Sequence, residues 1–146
     1  MPAPAFALLD ALLRPLAMLP PGLPVVVAEP LAAPVAASAL SALGFAVTAA
    51  SPETASALPA GAYAWGVAVA HEAELPALAA ALRPALAPGA WLSVAVETRA
   101  TASVLVGWME TAGFVLAQAP ETLPPEGMSP GGLHGIFRRV DAGVIG

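Results

Sequence analysis

Apolar residues along the chain alternate between two patterns: short unbroken runs, and stretches in which they recur every third or fourth position. Residues 4–19 set Phe6, Leu9, Leu13 and Leu16 at helical spacing, and Pro15 should kink or end that helix. A Pro-Pro-Gly turn at 20–22 leads into LPVVVAE (23–29), a β-branched run that predicts a strand. Pro34 to Leu43 reads as a helix with Val35, Ala39, Leu40 and Leu43 on one side, and Gly44 is placed to end it in the left-handed conformation. FAVTAAS (45–51) is a second strand. SPETASAL (51–58) follows as a short helix, with Ser51 as N-cap and Pro52 in its first turn.

After a turn at 59–62, YAWGVAVA (63–70) predicts a third strand. Glu74 to Leu86 carries Leu75, Leu78, Leu82 and Leu86 on one helical face, and a Pro-Gly-Ala turn at 88–90 opens the fourth strand, 91–97. Thr101 to Ala112 reads as a helix with Val104, Leu105, Trp108 and Met109 inward, and Gly113 caps it before a fifth strand, 114–119. The proline- and glycine-rich stretch 120–132 has the composition of a loop, and LHGIFRRV (133–140) fits a last strand antiparallel to the fifth, with a frayed tail from Asp141. Strands alternating with helices predict a doubly wound, mostly parallel α/β sheet with helices on both faces and a C-terminal antiparallel strand. The expected organisation is one domain over 1–146: an N-terminal helix within 1–22, a core at 23–119, a loop at 120–132 and the last strand at 133–140.

Composition sharpens this picture. Apolar residues make up 58% of the chain and charged residues 10%, and the mean hydropathy of +0.79 raises the question of a membrane. The longest uncharged stretch, between Glu29 and Glu53, is interrupted by Pro30 and Pro34 and consists largely of alanine and serine. A spanning helix needs about 20 strongly apolar residues, so a buried α/β core is the better reading, since parallel strands covered on both faces are also continuously apolar. No basic region opens the N-terminus, and prolines 15, 20 and 21 break its apolar stretch, so no secretory signal and a cytoplasmic location are expected.

The formal net charge is −5, all five basic residues are arginines, and only Arg138 and Arg139 adjoin. Such a chain lacks the basic surface that displaces counterions from phosphates, so nucleic-acid binding by this chain alone is not expected. With no cysteine, disulfides, zinc–thiolate sites and thiol catalysis are excluded. Two histidines, His71 and His134, are too few for most metal sites, and none is expected. No nucleophile elbow, H-E-x-x-H, phosphate-binding loop or zinc spacing is present.

Several segments resemble class I S-adenosylmethionine-dependent methyltransferases. LPALAAALRPALAPGAWLSVAVE (75–97) is similar to the stretch in which a helix ends in L-x-P-G-G and feeds a core strand. WMETAGFVLAQA (108–119) resembles the following L-x-x-A-G-F helix and strand, and GIFRRV (135–140) the closing strand. LGFAVTAASPE (43–53) and YAWGVAVAHEAEL (63–75) resemble the second and fourth strands, so that the likeness covers about 23–140.

The resemblance implies a cofactor held by an acidic-x-G-x-G-x-G turn after the first strand, where glycines let backbone approach the ligand. Here that turn reads Ala28-Glu29-Pro30-Leu31-Ala32-Ala33-Pro34, with no glycine and two prolines. The ribose-gripping acidic residue at the end of the second strand corresponds to Ser51, with Glu53 two residues on. Only 11 residues separate Ser51 from Tyr63, too few for the helix, third strand and loop usual there.

The first expectation is therefore a degenerate, non-catalytic methyltransferase-like domain with no cofactor, kept as a partner or scaffold through a protein contact or self-association. The alternative is an active methyltransferase on a small molecule or protein, in which Glu29, Ser51, Glu53 and His71 form the edge that holds S-adenosylmethionine. A second alternative is a degenerate response-regulator receiver, which VVVAEPLAAPVAASALSALGFAVTAAS (25–51) also resembles, although it lacks the paired acids, the phospho-accepting aspartate and any lysine. His71-Glu72 and Glu97-Thr98 fall on the same strand-end edge as Glu29, where open α/β sheets bind ligands. For each, solvation or helix capping is the plainer reading. Trp65, Trp91 and Trp108 are expected in or at the rim of the core, Arg138 and Arg139 on a solvated edge, and His134 without a role.

Overall fold

The computed structural model describes residues 19–20, 22–28, 35–51, 53–123 and 132–140. In chain order the elements are β1 (Pro24–Ala28), α1 (Val35–Ala42), β2 (Ala46–Ala50), a 3-10 turn (Ala55–Ala57), β3 (Tyr63–His71), α2 (Leu75–Leu82), a second 3-10 turn (Arg83–Ala85), β4 (Leu86–Glu97), α3 (Ala102–Thr111), β5 (Phe114–Leu123) and β6 (Gly132–Arg139). The six strands form one sheet in the order β2-β1-β3-β4-β6-β5. The four strands β2, β1, β3 and β4 run parallel, and β6 lies antiparallel between β4 and β5. This is a doubly wound, mostly parallel sheet with helices on both faces and an antiparallel strand inserted at its C-terminal side. The antiparallel insertion separates it from the 2-1-3-4-5 order of receiver domains, so the receiver alternative is set aside.

Alternation along each strand divides the core. On one face Val26, Ala68, Ala70, Leu92, Val94 and Val96 pack against Leu75, Leu78 and Leu82 of α2 and Leu105 and Met109 of α3. On the other face Val25, Val27, Trp65, Val67, Val69, Ala95 and Ile136 cluster with Leu40 of α1 and Phe45. Both faces of β1 and β3 are thus dry, which is why their sequences read as unbroken apolar runs. Gly66 serves this packing: a Cβ there would meet Leu92 Cδ1 at 2.9 Å and Leu86 Cδ2 at 3.1 Å.

Gly44 and Gly113 take φ of 97° and 96° immediately beyond α1 and α3, as the sequence predicts. Four local expectations are corrected. Ser51 caps the turn after β2 as expected, its Oγ accepting from the Thr54 N–H, but the structure that follows is a single 3-10 turn at Ala55–Ala57 rather than a helix. The Pro-Gly-Ala at 88–90 does not precede β4 but lies inside it, where Gly89 at φ 75° accompanies a register shift against β3. The stretch 120–132 is not all loop: β5 continues to Leu123 and β6 begins at Gly132, because the antiparallel partner supplies backbone hydrogen bonds whatever the side chains. On α3, Leu105 and Met109 are buried and Trp108 half-buried, while Val104 is exposed. The expected N-terminal helix within 1–22 falls, apart from residues 19, 20 and 22, outside the described residues, as do residues 124–131 of the expected loop and the tail from Asp141.

Three arginines brace the end of the sheet where β4 and β5 begin. Arg83 donates to the carbonyls of Gly113 and Val140, Arg139 to that of Leu86, and Arg138 to that of Gly89 at 3.4 Å. Arg138 also lies 5.2 Å from the ring centroid of Trp91. Among the described residues no helix is long and apolar enough to cross a membrane.

Candidate functional site

The chain leaves β1 toward β2 on one side, while β3 pairs on the other. The strand order therefore reverses between β1 and β3. Open α/β sheets bind ligands at the carboxyl ends of strands beside such a switch point. The residues predicted for the site fall along this edge, with one outside view: Glu29 lies outside the described residues.

Ser51 follows β2 directly, and its hydrogen bonds are local. Its N–H donates to Thr54 Oγ1 at 2.8 Å, its Oγ accepts from the Thr54 N–H at 3.2 Å, and the two hydroxyls are 3.1 Å apart. This reciprocal pair is the geometry of a capping box built on Thr instead of Glu. Glu53 sits on the same turn, exposed to solvent.

His71 ends β3 and stands directly across from Glu97, which ends β4. Its Nδ1 lies 3.1 Å from Glu97 Oε1, with the imidazole 49% and the carboxylate 20% exposed. Beside them the Thr98 hydroxyl donates to Glu72 Oε2 at 2.6 Å and accepts from the Ala100 N–H at 2.9 Å, and the Glu72 N–H donates to the Glu97 carbonyl at 3.3 Å. Two strand ends and the turns after them are thus joined by two side-chain pairs. The sequence placed His71-Glu72 and Glu97-Thr98 on one edge but did not join them. The signal was available, since aligning the ends of the apolar runs 63–70 and 91–97 brings the two positions into register. Chemically, His71 oriented by Glu97 is an arrangement that accepts a proton. Among the described residues no group of three or more His, Asp or Glu is arranged to hold a metal ion.

The structure brings Ser51, Glu53 and His71 to a common edge but joins none of them to another. His134 is a residue that sequence reasoning passed over. It is 4% exposed on β6, opposite Ala95, with Nδ1 3.3 Å from Glu121 Oε1 of β5. Its signal was its position, two residues into a strand whose neighbours Leu133, Ile136 and Phe137 are apolar. Two of the tryptophans pack on each other at the sheet. The Trp65 indole N–H donates to buried Ser93 Oγ at 3.0 Å, and the ring stacks on Trp91 with centroids 5.8 Å apart.

No protein-family model matches this sequence. No curated protein matches it either. Solved structures do. The 1,6-didemethyltoxoflavin-N1-methyltransferase of Burkholderia thailandensis, solved with 1,6-didemethyltoxoflavin and S-adenosylhomocysteine, aligns with TM-score 0.68 and 15% identity over 93% of this chain and 79% of that one. An S-adenosylmethionine-dependent methyltransferase from Mesorhizobium loti aligns with TM-score 0.59 and 15% identity over 90% of this chain and 100% of that one. A chain from the complex of the Haloferax volcanii Trm112 methyltransferase activator with its candidate methyltransferase aligns with TM-score 0.60 and 11% identity, covering 90% and 87%. At these identities the likeness establishes architecture. The sheet order, the switch point and these matches together give the chain the fold of the class I S-adenosylmethionine-dependent methyltransferases.

Proposed function

We propose that this chain is a methyltransferase-like domain that works without the cofactor, as a protein-binding or scaffold subunit. The observation that carries the reading is the end of β2. Where the resemblance calls for a carboxylate facing the ribose, the chain has Ser51, and its hydroxyl and N–H are both engaged with Thr54. Two residues on, among the described residues, Glu53 is exposed on the turn. At the ends of β3 and β4, His71 is held by Glu97 and Glu72 by Thr98, so these described polar groups of the edge are engaged with one another.

The sequence after β1 agrees with this. Residues 29–34, Glu-Pro-Leu-Ala-Ala-Pro, contain no glycine to let backbone approach a ligand and two prolines that remove N–H donors. An adenosyl sulfonium does not fit this set of residues, and no methyl-transfer step is assigned to them. A structural neighbour comes from a complex of a Haloferax volcanii methyltransferase with its activator protein, which supports a protein contact for a chain of this fold.

Calorimetric titration of the purified chain with S-adenosylmethionine and S-adenosylhomocysteine tests the reading. No heat of binding is expected up to millimolar ligand, and a dissociation constant in the micromolar range overturns it. A second reading, an active methyltransferase, is favoured by one observation: His71 oriented by Glu97 supplies a proton acceptor at this strand-end edge, in a fold whose solved neighbours include structures with S-adenosylhomocysteine or S-adenosylmethionine. The same titration separates the two.

A further inference from the structure

We propose that the free side of β2 pairs antiparallel with β2 of a second copy of this chain, joining two sheets into one. The inference names a surface for the assembling subunit proposed above, and it rests on three features of the sheet's ends.

The first is the contrast between the two edges. β2 and β5 are the outer strands, and among the described residues β2 pairs only with β1. An outer strand presents unpaired N–H and C=O groups, and proteins guard such edges with bulges, prolines and charge. β5 is guarded in all three ways: its register breaks between Leu116 and Gln118 and again between Gln118 and Glu121, and it carries Pro120 and Glu121. β2 reads Ala-Val-Thr-Ala-Ala in unbroken register, and Ala46 and Ala49 are exposed.

The second is charge. The chain carries a formal −5, which opposes the approach of two copies over most of their surface. Between Glu29 and Glu53 there is no charged residue, so α1 and β2 form a neutral surface on an acidic molecule. A neutral edge is complementary to itself. Antiparallel pairing about Thr48 sets Thr48 against Thr48 of the partner subunit and Val47 against Ala49 of the partner subunit, with no like charges opposed.

The third is shape. Ser38, Ser41 and Ala42 of α1, with Val47 and Ala49 of β2, line an open groove of about 520 Å³ beside this edge. A two-fold axis normal to the sheet puts the second copy's α1 on the same face, across the groove. The small side chains leave room for close approach.

Light scattering and sedimentation equilibrium on the full chain test this. The expected mass is twice the 14.4 kDa of one chain, with dissociation on dilution. Ala49→Lys and Ala49→Asp each place like charges diagonally across the two-fold, and each should raise the dimer dissociation constant about a hundredfold. Mixing the two variants should restore the doubled mass. Hydrogen exchange on the unmodified chain gives an independent reading: amides of 46–50 should gain protection as concentration rises, and those of 114–119 should not. A mass that stays at one chain at high concentration, doubling that survives both substitutions, or concentration-dependent protection in β5 instead overturns the proposal, whether the edge is then covered by a segment of this chain or by another protein. Heat on titration with S-adenosylmethionine would refute the functional reading and leave this pairing standing.

Discussion

Gly132 opens β6 at the point where the antiparallel strand meets the carboxyl end of β4, opposite Glu97 on one side and Leu123 on the other. A Cβ added there would overlap the Val96 carbonyl oxygen and lie 2.9 Å from its carbon and 3.1 Å from Glu97 Cα. All three atoms are backbone in the middle of the sheet, so no side chain is available to swing aside. Gly132→Ala must therefore push the start of β6 outward and separate the last rung of two ladders. We expect a loss of about 2–4 kcal/mol, the range of backbone strain combined with broken pairing. For a chain of this size that corresponds to a fall in Tm of roughly 5–15 °C. Gly107 in α3 is the control, because it is exposed and a Cβ there meets nothing within 4 Å. Gly107→Ala should stabilise the protein by about 0.5–1 kcal/mol, since a helix-interior glycine has more conformational freedom to lose on folding than alanine. Urea unfolding followed by circular dichroism reads both. If Gly132→Ala unfolds within about 0.5 kcal/mol of the unmodified chain, or if the two substitutions shift stability in the same direction, the steric argument at the β4–β6 junction fails.

Two further substitutions test the polar contacts. Ser93→Ala removes the acceptor of the buried Trp65 indole N–H and should cost about 1–3 kcal/mol, the penalty of an unsatisfied buried donor; an unchanged urea midpoint would show that the indole finds another partner. Glu97→Gln weakens a pair in which His71 is half-exposed, so the expected cost is below about 1 kcal/mol. A loss beyond about 2 kcal/mol would mean that the pair supports the junction of β3 and β4 far more than its exposure implies.

Local signals were legible wherever a segment's own pattern reports its surroundings. The runs at 25–28 and 65–70 announce strands dry on both faces, and Leu75, Leu78 and Leu82 announce the buried side of α2. Gly44 and Gly113 mark helix ends because a left-handed backbone suits few other residues. The same reasoning placed the cap at Ser51 but expected a helix where only the 3-10 turn Ala55–Ala57 follows, and cut β5 short at 119, where polar residues continue a strand that a neighbour holds. The candidate site was legible as an edge, from Ser51, His71 and Glu97 at strand ends. It was not legible as a set of partners.

The sequence alone determined that strands and helices alternate, which faces are apolar, that the segment after β1 has no glycine, and that an uncharged stretch runs from Glu29 to Glu53. Those properties belong to consecutive residues, and periodicity or chemistry along the chain expresses them directly. Tertiary structure decided that β6 inserts between β4 and β5, that His71 meets Glu97 and His134 meets Glu121, and that of the two outer strands β2 pairs in unbroken register while β5 is twice interrupted. Strand pairing runs through backbone hydrogen bonds that are nearly the same for every residue. Neighbours across a sheet are therefore chosen by the packing of the whole core, and side chains far apart in sequence become partners only as a consequence.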